Sequence, residues 1–196
     1  LAPLIAGLLL SGCQAEPPSS PPRADLVPLA RPLPLMAMTE PMVVEFDLEP
    51  PTKNATTTLF LGIRVRGKDP LNAADISREV KSSDLRVELH LKRLDANENA
   101  AIPLVRIDPA ADASAPLIPI GTDGLVTGGW SDDVDDLSLE ASGLAPVDVH
   151  YAEVALAWAQ HIDPGKYQMS IRLIAPSAQL APINSELLIA YRHRSK

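Results

Sequence analysis

Apolar residues recur at every second position over much of this chain. Val44, Phe46 and Leu48 alternate with Glu45 and Asp47. Leu59, Leu61, Ile63 and Val65 alternate with Phe60, Gly62, Arg64 and Arg66. Leu85, Val87, Leu89 and Leu91 alternate with Arg86, Glu88, His90 and Lys92. A strand turns successive side chains to opposite faces, so a period of two predicts strands with one face on a core and one in water. A helix would space its apolar residues three and four apart. Tyr167, Met169, Ile171 and Leu173 repeat the strand pattern, and Leu187, Ile189 and Tyr191 make a last strand. Ala152, Val154, Leu156 and Trp158 also alternate, although the alanine content leaves a helix open there. Residues 102–107 are a shorter strand candidate, placed at an edge by Pro103, which has no N–H to donate.

The punctuation between these runs fits. In Asp163-Pro164-Gly165-Lys166 the proline presets φ at turn position i+1 and the glycine accepts a positive φ at i+2. Flanked by alternating runs, this predicts a hairpin. One short helix is predicted near Asn72, whose side chain can cap free backbone amides. Asp75 then falls in the first turn, where the helix dipole favours negative charge, and Ile76 and Val80 share a face. Many short strands and one small helix predict a mostly β fold, a two-sheet antiparallel β-sandwich of immunoglobulin-like type. Aromatic residues are few, so aliphatic side chains must do most of the packing.

The predicted domain spans residues 43–196, and the composition changes ahead of it. Prolines stand at 17, 18, 21, 22, 28, 32, 34 and 41, with Ser19 and Ser20 among them. Proline fixes φ and removes a donor, so this stretch is expected to join neither sheet nor helix. Extended polyproline II, about 3.1 Å per residue, would make it a spacer. Before it lies an apolar run, residues 1–10, too short for a bilayer, which needs about 20 residues. Its length suits a signal h-region of about 7–15 residues. The run ends in Leu10-Ser11-Gly12-Cys13, with the only cysteine of the chain. That motif resembles the lipobox of bacterial lipoprotein signal peptides. The resemblance implies cleavage before Cys13, diacylglycerol on its thiol and acylation of the new amine. Residues 1–12 would then be the signal peptide, expected to be truncated at its start because it lacks methionine and a basic n-region. Residues 13–42 would be the lipidated cysteine and its tether. Each buried methylene contributes about 0.8 kcal/mol, so two or three chains on Cys13 would hold the protein on a membrane. Enteric lipoproteins kept at the inner membrane carry aspartate after the cysteine. Gln14 therefore points, by the same resemblance, to the periplasmic face of the outer membrane.

A search for catalytic chemistry finds little. His90, His150, His161 and His193 show no metal-ligand spacing, and no second cysteine is present. His90 falls in the solvent phase of its strand, while His150 and His161 could approach each other across the predicted hairpin. Gly-x-Ser-x-Gly, His-Glu-x-x-His and a phosphate-binding glycine loop are all absent, so no catalytic residue, metal or cofactor is expected. The densest charge cluster is Asp132, Asp133, Asp135 and Asp136, with Glu140 beyond and Trp130 just before it. Three readings are open. The cluster can be a solvated acidic loop. It can bind Ca²⁺, although it lacks EF-hand spacing. Or Trp130 and the aspartates can form a contact site, the ring as anchor and the charge steering a basic partner. The net charge of −8 argues against nucleic acid as a ligand.

Asp163-Pro164-Gly165-Lys166-Tyr167, its alternating strand and Leu187 to Arg192 resemble the closing hairpin of an uncharacterised family of proteobacterial lipoproteins. The Glu45-Phe46-Asp47-Leu48 strand, the strand from Leu59 to Arg66, the helix near Asn72 and the Leu85 strand fall in a similar order. Some such lipoproteins accompany type VI secretion phospholipase effectors and are taken to be their immunity proteins. The resemblance implies a membrane-anchored binding or inhibitor module with a toxin as partner, and carries over no functional residue. The alternative is a structural or assembly lipoprotein of the envelope, in which a sandwich edge pairs with another component. A small-ligand binder is a further possibility.

Overall fold

The computed structural model describes residues 24–95, 100–108, 115–174 and 178–194. The lipobox and Cys13 lie outside the described residues. The elements run β1 (Leu29–Pro32), β2 (Met42–Leu48), β3 (Ala55–Gly67), α1 (Pro70–Ser82), β4 (Arg86–Arg93), β5 (Val105–Arg106), β6 (Ile118–Pro119) and β7 (Leu125–Thr127). They continue with α2 (Asp136–Ala141), β8 (His150–Ala159), β9 (Gly165–Leu173) and β10 (Ser185–His193), with a 3₁₀ turn at Ala178–Leu180 before the last strand. Two antiparallel sheets result, one ordered β1-β10-β3-β8-β5-β6 and one ordered β2-β9-β4-β7. They face each other as a β-sandwich. No helix among the described residues is long and apolar enough to cross a membrane.

Period-two patterning builds the core directly. Leu59, Leu61, Ile63 and Val65 of β3, Val154 and Leu156 of β8, and Leu187 and Ile189 of β10 point inward from the large sheet. Val44 and Phe46 of β2, Val87 and Leu89 of β4, and Met169 and Ile171 of β9 meet them from the small one. The Phe46 and Tyr167 rings stack with centroids 5.8 Å apart. α1 lies against β3 and β8 and contributes Val80 and Ile76 to the same core. The alanine-rich segment that left a helix open is strand β8. It sits between β3 and β5, where alanines let neighbouring layers approach.

Three expectations are corrected. The proline-rich stretch does join a sheet. Leu29–Pro32 pairs antiparallel with β10, and Val27, Leu29, Leu33 and Leu35 are buried in the core. Proline is tolerated because β1 is an edge strand. Leu33 donates to the Ser185 carbonyl at 3.1 Å, so alternation turns Pro32 outward, where its missing N–H loses nothing. The folded domain therefore begins well before residue 43. Second, the segments flanking Pro164-Gly165 form no hairpin. β8 lies in the large sheet and β9 in the small one, so the turn crosses the sandwich. Both strands carry full sets of inward apolar residues, and each finds its ladder with strands distant in sequence. Third, Asp69 rather than Asn72 caps α1, accepting from the Asn72 N–H at 2.8 Å, with Pro70 opening the helix. Asn72 Oδ1 instead accepts from the Lys68 N–H at 3.1 Å. Asp75 lies beyond the first turn and pairs with Arg78 at 2.7 Å.

Candidate functional site

The large sheet is covered on its outer face as well. Phe60, Ala155, Trp158, Leu188 and Ala190 stand in the strand phase opposite the main core, yet they are buried. Residues 128–149 cross over them like a strap, and Val134 and Leu139 of the strap, with α2 at its centre, close a second apolar cluster. Main-chain bonds hook the strap to the sheet at two places. Trp130 and Ala155 exchange bonds of 2.9 and 2.7 Å. The Asp135 N–H reaches the Tyr191 carbonyl at 3.0 Å, and the His193 N–H reaches the Asp133 carbonyl at 3.0 Å.

The acidic cluster divides in two on this strap. The Asp132 carboxylate accepts from Trp158 Nε1 at 2.6 Å and from Arg192 Nε at 2.9 Å. Asp135 precedes the first residue of α2 and is 1% exposed. One of its oxygens accepts from Thr52 Oγ1 at 2.7 Å and from the Ser138 hydroxyl, and the other has no hydrogen-bond partner among the described residues. Asp132 and Asp135 thus hold the strap in place, while Asp133, Asp136 and Glu140 are exposed. Exposed with them are Leu137, on α2, and Val147, which is 95% accessible. No Lys, Arg or His occurs between residues 128 and 149. The free face of the strap is therefore acidic with two apolar projections.

Trp130 does not project from this face. One part of it packs on the second cluster, and it borders a separate cavity of about 340 Å³ with Arg78, Lys81, Ser82 and Ser131. Lys81 Nζ donates to the Ser131 hydroxyl. The structure thus separates Trp130 from the exposed carboxylates that sequence placed beside it.

Beneath the strap lies a polar group that the sequence reading passed over. Arg64 of β3 is 3% exposed. It bonds Glu186 Oε2 of β10 at 2.6 Å and the Leu144 carbonyl of the strap at 2.6 Å, and its guanidinium sits 4.0 Å above the Tyr151 ring. Glu153 of β8 is its register partner. Burial pushes the Glu153 carboxyl up to about 7. The negative charges of Asp136 and Asp133 add to the rise, and Arg64 opposes it. The signal for this group was that Phe60, Ala155, Leu188 and Ala190 are apolar at positions where a solvated face should be polar. A strand apolar on both faces is covered on both, so Arg64 is buried and Glu153 half-buried.

The histidines stay apart. His90, on the open face of the small sheet, lies 3.3 Å from Glu88. His150 and His161 flank opposite ends of β8, the latter in a turn with φ of 51°. Among the described residues no group of three or more His, Cys, Asp or Glu is placed to hold a metal.

No protein-family model matches the chain, and no curated protein matches it. A solved crystal structure of a protein from Sulfurospirillum deleyianum is similar to it with 10% sequence identity and a TM-score of 0.46. That likeness covers 85% of this chain and 98% of the other.

Proposed function

We propose that this chain is a binding module held at a bacterial membrane through lipidated Cys13, and that it docks a basic partner protein on the free face of the strap. The observation that carries this is the strap surface. Leu137 and Val147 are exposed on a segment that also carries Asp133, Asp136, Glu140 and Asp148 and no basic residue. Exposed apolar side chains on a segment that carries only acidic charge suit a contact with a desolvated centre and a rim that steers the partner in. Fixing the strap to the sheet through Asp132, Asp135 and Arg64 presents that surface without an ordering cost on binding. The reading that fits this surface and the lipobox best is an immunity lipoprotein of the periplasm, blocking a secreted, lipase-like toxin of a type VI system. Such a role needs membrane location and a rigid complementary surface.

The test is co-expression with a candidate toxin, encoded beside this gene and directed to the periplasm. Survival and a recoverable complex are expected. Unchanged killing with no complex would overturn the immunity reading. With a complex in hand, Asp133→Asn with Asp136→Asn should slow association at low salt and flatten its salt dependence. An unchanged on-rate would remove the strap from the contact. The second reading, an assembly component, is favoured by one observation, the open edge of β2.

A further inference from the structure

Sheet edges invite pairing, and folded proteins guard them. β6 is two residues long and ends in Pro119, and β7 has three residues. β1 turns Pro32 outward. β2 is guarded at only one end. Its Asp47 N–H reaches the Asp25 carbonyl at 2.7 Å, and its Asp47 carbonyl accepts from the Val27 N–H at 3.1 Å. These bonds fix the phase of the strand. Asp47 points its main chain away from β9, so Glu45 and Val43 do as well, whereas Phe46 and Val44 bond β9. Among the described residues no main-chain bond is made by the Val43 or Glu45 N–H or carbonyl on that side. Val43 is 53% exposed beside them, and a groove of about 390 Å³ runs between this edge and Arg31-Pro32.

We propose that this edge pairs with the same edge of a second copy, joining two small sheets into one. The open groups are self-complementary. A two-fold axis at Val44 sets Val43 opposite Glu45 of the other copy and Glu45 opposite its Val43. Each such pair exchanges both N–H···O bonds, so all four open groups on each copy are satisfied. Charge permits the register, because each Glu45 meets a valine. The seam has natural ends: Pro41 precedes the strand, and residues 25–27 occupy the edge at Asp47. It is short, so pairing in solution is weak. Anchoring on one membrane, which rests on the proposed function, would raise the local concentration and favour it. The pairing itself rests only on the edge.

The register makes a sharp test. Val44 and its symmetry mate form a non-hydrogen-bonded pair with Cα atoms about 4.5 Å apart, within the span a disulfide bridges, about 4.4–6.8 Å. In the full chain with Cys13→Ser, Val44→Cys should form a covalent dimer under mild oxidation at least about tenfold faster than Lys92→Cys, which lies two strands away. Adding Val43→Glu should abolish that advantage, since it sets a carboxylate directly opposite Glu45 of the other copy, and like charges across a ladder oppose pairing. Without any added cysteine, the Val43 and Glu45 amides of the Cys13→Ser chain should exchange about tenfold more slowly when protein concentration rises about a hundredfold. Equal cross-linking of the two cysteine variants would overturn the proposal. So would exchange independent of concentration, or a dimer that survives Val43→Glu.

Discussion

Glu153 offers the most quantitative handle on the strap. Its carboxyl is shifted from 4.5 to about 7 by burial, with the charges of Asp136 and Asp133 adding to the rise against the attraction of Arg64. At about 1.4 kcal/mol per unit, that shift disfavours the ionised folded form by about 3 kcal/mol. The folded pKa is above the unfolded one, so the folded state holds the extra proton between 4.5 and about 7. The group therefore costs nothing below 4.5, and stability falls as pH rises through about 7. Glu153→Gln keeps a neutral side chain of the same shape at every pH. Urea unfolding of both proteins across this window should give equal stabilities at the acid end. About pH 8 the Gln variant should be more stable by up to about 3 kcal/mol. The difference between the two curves isolates Glu153, since every other titrating group is common to both. Curves that stay parallel from 4.5 to about 8 would refute the reasoning. So would a variant destabilised throughout, because then the carboxylate would be a partner the fold needs. Asp136→Asn should act in the same direction by a smaller amount, lowering the Glu153 pKa without touching its burial.

The other predictions concern parts that hold the strap and helix in place. Arg64→Ala removes the Glu186 pair, the Leu144 bond and the Tyr151 contact together, and should cost about 3–5 kcal/mol in urea unfolding. Asp132→Asn should cost about 1–3 kcal/mol and shift the Trp158 fluorescence, since the indole N–H loses a charged acceptor. Asp69→Ala should lower stability by about 1 kcal/mol through loss of the α1 cap, whereas Asn72→Ala should cost less. Gly62→Ala should destabilise strongly, measured by thermal melting. Its Cβ would stand 2.4 Å from the Val154 carbonyl oxygen, where β3 meets the register shift in β8.

The β-sandwich was legible because each of its long strands carries its own period-two record. Val44-Phe46-Leu48 and Leu85-Val87-Leu89-Leu91 each need one buried face, and two such sheets must cover each other. Pairing order was not legible, for the same physical reason. An inward apolar face says nothing about which neighbour supplies the ladder, so a proline-glycine turn between two alternating runs looked like a hairpin although it crosses between sheets. β1 was hidden by its prolines, because the prohibition they impose applies to ladder donors and lapses on an edge.

The acidic cluster shows where charge counting stops being informative. Four aspartates within five positions look equivalent in sequence, but α2 and the strand bonds around it alternate their directions. Asp132 and Asp135 turn toward the sheet and meet Trp158, Arg192, Thr52 and Ser138, while Asp133 and Asp136 face water. Replacing all four together would therefore confound a contact with a fold. The same geometry couples the two halves. The exposed pair lies close enough to Glu153 to raise its pKa, so a basic partner that neutralised Asp133 and Asp136 would lower it in return. Binding on the outside of the strap should then release a proton from beneath it near neutral pH. Titration calorimetry in buffers of different ionisation enthalpy would detect that release, and Glu153→Gln should abolish it without removing the contact surface.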